Sequence, residues 1–341
     1  MKAAIFLDKN KIEIQDRKVP VPKAGEVLIR TGLCGICGTD VHIYNGELCV
    51  AKPPVTLGHE ISGDIDTIGQ GVKGFTAGDR VAVNPLLTCG QCEFCRRGLM
   101  NLCEDPVVIG YIHHGGFANY LVAPATHLHL LPKTLSHETG ILVETLACVL
   151  NGYDRLRLQG GHSALILGAG TVGLLWNQLL KKSPLTQVLQ TEKVLFRRNK
   201  AKALGADAVF DANDPELSKR IFERCPEGVD YIIDATGDAA AVEQAIPWVR
   251  KGGTFMIFGV CNEKETIRIS PFEIYQRQMT IIASKMPPQT LDRAAKILAF
   301  GHIEVDEIVS SVLPLRDIES GFQRFIHGKG KDIKIAIDPW A

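Results

Sequence analysis

The stretch His162–Lys182, HSALILGAGTVGLLWNQLLKK, decides how the middle of this 341-residue chain folds. Ser163–Leu167 is a short apolar run that can be buried on both faces, as strands of a parallel sheet are. Gly168-Ala169-Gly170-Thr171-Val172-Gly173 follows at once, and Leu174, Leu175, Leu179 and Leu180 supply the apolar side of a helix behind it. Strand, G-x-G-x-x-G and helix in that order is the context that makes the motif specific. Its glycines permit a tight turn, close approach of backbone to a pyrophosphate and close helix–strand packing, with the anion at the helix N-terminus. Gly168, Gly170, Thr171, Val172 and Gly173 are therefore candidate cofactor-binding residues.

Beyond the motif, VLQTE ends at Glu192, 24 positions after Gly168. A carboxylate there can accept hydrogen bonds from the adenosine ribose hydroxyls and repels a 2′-phosphate, which favours NAD over NADP. Arg197 and Arg198 stand nearby, and either could meet a phosphate if the loop turned inward, so Arg197 joins the cofactor candidates. FRRNKAKALGAD and ELSKRIFERC read as helices, GVDYIIDATG as a buried strand, AAVEQAIPWVRKGG as a helix interrupted or started by Pro247, and TFMIFGV and MTIIAS as strands. Strands alternating with helices predict an α/β architecture with a doubly wound parallel sheet.

Residues 1–130 read differently. Ala3–Leu7, Ile12–Ile14, Glu26–Leu33, Gly63–Ile68 and Arg80–Val83 are short strands punctuated by Gly turns, which predicts a partly closed β-barrel. After Lys285-Met286-Pro287-Pro288 the βα series stops. Thr290 can cap the helix LDRAAKILAF, and VDEIVSSVLPL and DIKIAI supply strands around the helix DIESGFQRF. These late strands are expected to return to the barrel. The expected domains are 1–152 (barrel), 153–287 (dinucleotide-binding) and 288–341 (barrel again), with a cleft between the two.

Two clusters carry metal chemistry. CGTDVHIYNGELCVAKPPVTLGHEISG, residues 37–63, offers Cys37, Thr39, Asp40 and His42, then His59 and Glu60. Zinc takes such mixed S, N and O ligands, and a catalytic zinc keeps a position open. His59 lies 22 positions after Cys37, so only a chain that folds back can join them. The alternative is that Cys37 is a small buried hydrophobe and His59-Glu60 closes a turn. CGQCEFCRRGLMNLC places Cys89, Cys92, Cys95 and Cys103 within fifteen residues, the spacing of a closed, structural zinc site. Ser136 can cap a helix over His137–Gly152, with Glu144 in the middle of its apolar side, where a carboxylate is costly unless paired or metal-bound.

Composition narrows the field. Lys+Arg and Asp+Glu both number 38, so no global charge points to nucleic acid or an anionic membrane. No uncharged run approaches a membrane span. MKAAIFLDKNKIEI lacks the apolar core of a signal peptide. Clustered thiols in metal spacing point to a reducing cytoplasm.

Taken together, GHEISGDIDTIG at 58–69, CGICGTD at 34–40, the four-cysteine lobe and GAGTVG with its later acidic residue resemble the zinc-containing medium-chain dehydrogenase/reductase family across essentially the whole chain. The resemblance implies a GroES-like barrel with a Rossmann domain, two zincs per chain, NAD, and an alcohol or polyol substrate. VETLACVL is similar to the segment polyol dehydrogenases write with Glu-Pro, where classical alcohol dehydrogenases have cysteine. Thr145 stands where proline is usual and Asn151 where histidine is common. The catalytic zinc would be held by Cys37 and His59, with Glu60 or Glu144 completing the shell, and would accept both oxygens of a vicinal diol. Thr39 and His42 would relay the proton. The family implies homo-oligomers, tetramers or dimers. A zinc-independent quinone or enoyl reductase and a non-enzymatic NAD-binding protein are the competing classes; within the enzyme class, threonine or a simple secondary alcohol competes as substrate, and Lys285 is the candidate cation for a phosphorylated polyol.

Overall fold

A computed structural model describes residues 1–286, 289–327 and 332–341; the expected boundary between 287 and 288 lies outside them. The chain forms two compact units, Met1–Ala147 with Pro287–Ala341, and Cys148–Met286.

In the first unit a seven-stranded sheet runs in the order Leu128–Leu130, Arg80–Val83, Glu60–Ile68, Glu26–Gly35, Lys334–Asp338 and Val309–Pro314, with Tyr120–Pro124 also paired to Glu26–Gly35. A smaller sheet adds Lys11–Asp16, Lys2–Asp8 and Val55–Thr56. Val27, Ile29, Ile61, Ile65, Phe117 and Phe322 lie in the shared core. Burial is uneven along Glu60–Ile68: its first four residues are buried and its far end is exposed. That burial gradient brings Glu60 to the interior end, opposite Gly35 in the antiparallel register. The late strand Lys334–Asp338 pairs Ala336 with Gly35 and Ile337 with Cys34, next to the same end.

The second unit is a six-stranded parallel sheet ordered Ala208–Asp211, Gln187–Glu192, Ser163–Leu167, Val229–Asp234, Val249–Ile257 and Thr280–Ala283. Ser163–Leu167 is buried throughout, as a central strand covered on both faces must be. The strand order reverses beside it, which puts the glycine motif at the topological switch point where such sheets bind ligands.

Several local expectations are corrected. Cys37 is neither a small buried hydrophobe nor part of a strand: it caps the helix Gly38–Tyr44, half-buried, and the Asp40 carboxylate returns to the Cys37 backbone N–H. The helix expected over 137–152 is two pieces, His137–Gly140 and Leu142–Leu156, the second carrying the chain from one unit into the other. Ser136 caps the first piece as its position predicts, accepting from Thr139 N at 3.2 Å. Residues 246–253 do not continue a helix. Pro247 sits in a short 3-10 turn, Ile246–Trp248, and a strand begins at Val249. Thr290 precedes the helix Leu291–Ala299, but its hydroxyl donates to the carbonyl of Ala147 at 2.6 Å and caps nothing. The helix Pro271–Arg277, capped by Ser270, has no counterpart in the sequence reading.

Candidate active site

The first unit brings Cys37, His59 and Glu60 together, with one ligand atom from each lying within 4.8 Å of the others. The backbone arranges this. Cys37 ends the turn after the Glu26–Gly35 strand, and His59 immediately precedes the Glu60–Ile68 strand paired to it. Gly35 leaves Glu60 its place opposite: a Cβ there would stand 2.2 Å from Glu60 Oε2, so the carboxylate would have to move. His59 and Glu60 are 4% and 1% exposed. Asp40, fully buried, accepts from Cys37 N at 3.0 Å and Gly58 N at 3.3 Å. The same carboxylate faces His59 Nδ1 at 3.3 Å without the alignment of a full hydrogen bond. Metal-bound imidazoles usually rest their second nitrogen on such a carboxylate, which leaves Nε2 for the ion. A half-buried thiol with a buried imidazole and carboxylates suits zinc.

Glu144 is buried beside this cluster and acts electrostatically on both Tyr111 and Lys334, although it lies outside the three-residue group within 4.8 Å. Thr145 donates to Glu60 Oε1 at 2.8 Å. Three participants were not foreseen. Tyr111 stacks edge-on against His59, with its hydroxyl 3.5 Å from Nε2, and burial drives its pKa far above the ordinary phenol value. Lys334 reaches Glu60 with Nζ at 2.7 Å from Oε1 and 2.5 Å from Oε2. Burial works against a charge on Lys334, but Glu60, Cys37 and Glu144 outweigh it and raise its pKa. Glu47 is the third: its Oε2 lies 2.5 Å from His42 Nδ1, on a half-exposed surface. The only hint of Lys334 in the sequence is one charge inside the apolar run IKIAI.

Thr39 and His42 both lie on the Gly38–Tyr44 helix, with Thr39 Oγ1 3.8 Å from Cys37 Sγ. In the lobe, Cys89, Cys92, Cys95 and Cys103 gather their sulfurs within 4.8 Å. Cys89 Sγ is 3.5 Å from Cys103 Sγ and 4.0 Å from Cys95 Sγ. A tetrahedral site with Zn–S bonds of about 2.3 Å has sulfur–sulfur edges of roughly 3.8 Å, so the lobe fits zinc as it stands. Backbone N–H groups turn onto the sulfurs, from Cys92 to Cys89 and from Cys95 to Cys92. The N–H of Cys95, then that of Glu104, pulls the Cys92 pKa down to about 6, whereas desolvation and Cys92 push Cys95 up to about 12. One readily formed thiolate beside a reluctant thiol is the condition a cation resolves.

In the second unit the helix Thr171–Lys181 starts at Gly170 with no side-chain cap, and a helix N-terminus after a glycine turn is a general anion site. A Cβ on Gly170 would meet nothing within 4 Å, whereas one on Gly173 would strike Gly168 O at 2.1 Å. Open space at the second glycine and tight packing at the third fit a pyrophosphate. Glu192 is buried, and its two oxygens accept from Ala169 N at 2.8 Å and Val194 N at 2.9 Å, fixing a carboxylate beside the loop. Arg198 is committed to the carbonyls of Glu192 and Lys193 and to Asp211. Arg197 is half-buried on the same helix, Leu195–Ala203. Asn151, which stands where histidine is common, donates to Ser284 Oγ at 3.0 Å and Met286 O at 2.9 Å. Lys285 is exposed.

A barrel carrying a thiol–imidazole–carboxylate cluster, a four-sulfur lobe and a parallel sheet with a glycine-rich phosphate loop defines a zinc-dependent dehydrogenase architecture. The alcohol dehydrogenase GroES-like domain model matches residues 23–133, and the zinc-binding dehydrogenase model matches residues 171–299. D-arabinitol dehydrogenase 1 of Uromyces fabae is 32% identical, covering 98% of this chain and 97% of its own length. D-altritol 5-dehydrogenase of Agrobacterium fabrum is 34% identical, over 93% and 94%. A zinc-binding dehydrogenase of Sinorhizobium meliloti, solved bound to NADP, superposes with a TM-score of 0.93 at 32% identity over 99% of both chains. The chain belongs to the zinc-containing medium-chain dehydrogenase/reductase family. Among the described residues no helix is long and apolar enough to cross a membrane.

Proposed function

We propose that this protein oxidises a secondary alcohol of a polyol, or of a polyol phosphate, to the ketose with NAD. The observation that carries the reading is the cluster of half-buried Cys37 with buried His59 and Glu60, their ligand atoms within 4.8 Å, and the buried Glu144 that acts electrostatically on Tyr111 and Lys334 beside it. A zinc held there would supply Lewis acidity toward a substrate hydroxyl, and NAD bound at the glycine loop would supply the hydride acceptor. Cys37 and His59 hold the metal, with Glu60 or Glu144 as the further protein ligand. Thr39, 3.8 Å from Cys37 Sγ, takes the hydroxyl proton, and His42 on the same helix passes it outward. Tyr111, neutral and packed on His59, shields that flank from water. Gly168, Gly170, Thr171, Val172 and Gly173 cradle the pyrophosphate, with Glu192 and Arg197 on the ribose side. Cys89, Cys92, Cys95 and Cys103 hold a second zinc that pins their lobe.

Glu144 supports the polyol class. A carboxylate where alcohol dehydrogenases use a thiolate is a harder, more loosely held ligand and suits a substrate with two adjacent hydroxyls. The arabinitol and altritol enzymes are relatives of that kind. The reading places the enzyme in the cytoplasm as a homotetramer or dimer. It is tested by metal content and turnover together. Purified protein should hold about two zincs and reduce NAD with a polyol, and Cys37→Ser should lose one zinc and all turnover. Full turnover in Cys37→Ser would refute it.

A further inference from the structure

Lys334 is, among the described residues, the only lysine or arginine in the fully buried class, at 3% exposure. An ammonium has three protons. Here they point to Glu60 Oε1, Glu60 Oε2 and the carbonyl of Ile36, at 2.7, 2.5 and 3.1 Å. Glu60 is equally committed, since Oε1 also accepts from Thr145 at 2.8 Å. A buried ion pair is weak evidence for stability, because an apolar side chain of similar length often serves as well. This pair, however, occupies both oxygens of one carboxylate that also belongs to the metal-binding cluster. Glu60 can turn an oxygen to a cation in that cluster only by sharing it with Lys334.

We infer that Lys334 is a positioning residue that competes with the site's metal for the Glu60 carboxylate and so limits how tightly the metal is held. The inference rests on the reading that Cys37, His59 and Glu60 surround a metal. Three effects of removing Lys334 have the same sign. A positive charge beside a dication's site disappears, and with it a repulsion that the low-dielectric interior enhances. Glu60 gains a free oxygen pair. Glu60 also loses its ion-pair partner and keeps only the Thr145 hydroxyl in the metal-free protein, which favours taking up a cation. All three tighten metal binding. Lys334 reaches this position through the pairing of its strand with Cys34 and Gly35, so the last part of the chain tunes a site built by the first sixty residues.

The test is the rate at which zinc leaves the Cys37 site to a competing chelator, in wild type, Lys334→Met and Lys334→Arg. Slowing of at least about tenfold is expected in Lys334→Met, a shift of the size outer-shell partners cause in metal affinity. Lys334→Arg should stay near wild type. Cobalt in place of zinc gives an independent signature: the visible ligand-field bands of Lys334→Met should weaken as the coordination number rises. If Lys334→Met does not fold, Lys334→Gln is read with the same expectation. Zinc leaving the neutral variant as fast as wild type, or faster, overturns the inference. A wild-type count near one zinc per chain, unchanged by Cys37→Ser, instead overturns the reading beneath it.

Discussion

Asp40 Oδ1 stands 3.3 Å from Nδ1 of His59, while the same carboxylate accepts from the backbone N–H of Cys37. One buried side chain thus orients two candidate metal ligands that are far apart in sequence. Asp40→Asn should lower zinc affinity at that site by about 10–100-fold, since outer partners of ligating histidines carry effects of that size. Equilibrium competition with a chelator measures it, and the lobe zinc provides the internal control.

The lobe should behave as a structural staple. Of its four cysteines only Cys103 is fully buried, so little apolar packing holds this segment. Cys92→Ser should lose the lobe zinc, lower the melting temperature and expose residues 89–103 to proteolysis. The metal at Cys37 and His59 should stay bound in that variant. Equal loss of both zincs would show that the two sites fold as one.

Glu192, held by Ala169 N and Val194 N, lies beside the phosphate loop. NAD should be preferred over NADP by about tenfold or more in kcat/KM, because a like charge beside a 2′-phosphate costs on the order of a kcal/mol or more. Glu192→Gln should narrow that ratio. A wild-type preference for NADP would mean that Arg197 outweighs Glu192.

Much of this was legible in the sequence because the decisive groups are local. G-x-G-x-x-G between a strand and a helix, and four cysteines within fifteen residues, each carry their own geometry. Lys334 was not legible: it lies 274 positions from Glu60, and only the pairing of Ala336 with Gly35 brings it there. Asn151, standing where histidine is common, showed nothing of its role in the sequence; its side chain ties down Ser284 and Met286. The strand at Val249 was missed because charged Arg250 and Lys251 look like a helix end, whereas Pro247 had already turned the chain.

His137 gives the stability a pH dependence. Burial, then the charge of Arg80, lowers its pKa below the ordinary 6.5, against the opposing pull of Asp64. The unfolded chain therefore takes up the proton first. Its contribution is complete above 6.5 and is lost as pH falls from there through the lowered folded value. Melting temperature should decline over that range, and His137→Gln should flatten the decline. His114 and His127, also lowered chiefly by burial, should leave a residual slope.

The central claim is the substrate class, and one comparison tests it most directly: kcat/KM with NAD for pentitols, hexitols and their phosphates, set against threonine, ethanol and 2-butanol. Glu144, buried and acting electrostatically on the Tyr111 and Lys334 that touch His59 and Glu60, is the reason to expect a substrate with adjacent hydroxyls. At least one polyol or polyol phosphate should exceed every monofunctional alcohol and threonine by about tenfold or more, the worth of roughly 1.4 kcal/mol of extra transition-state binding. Threonine or a short simple alcohol outpacing all the polyols and polyol phosphates would contradict it, even with both zincs in place.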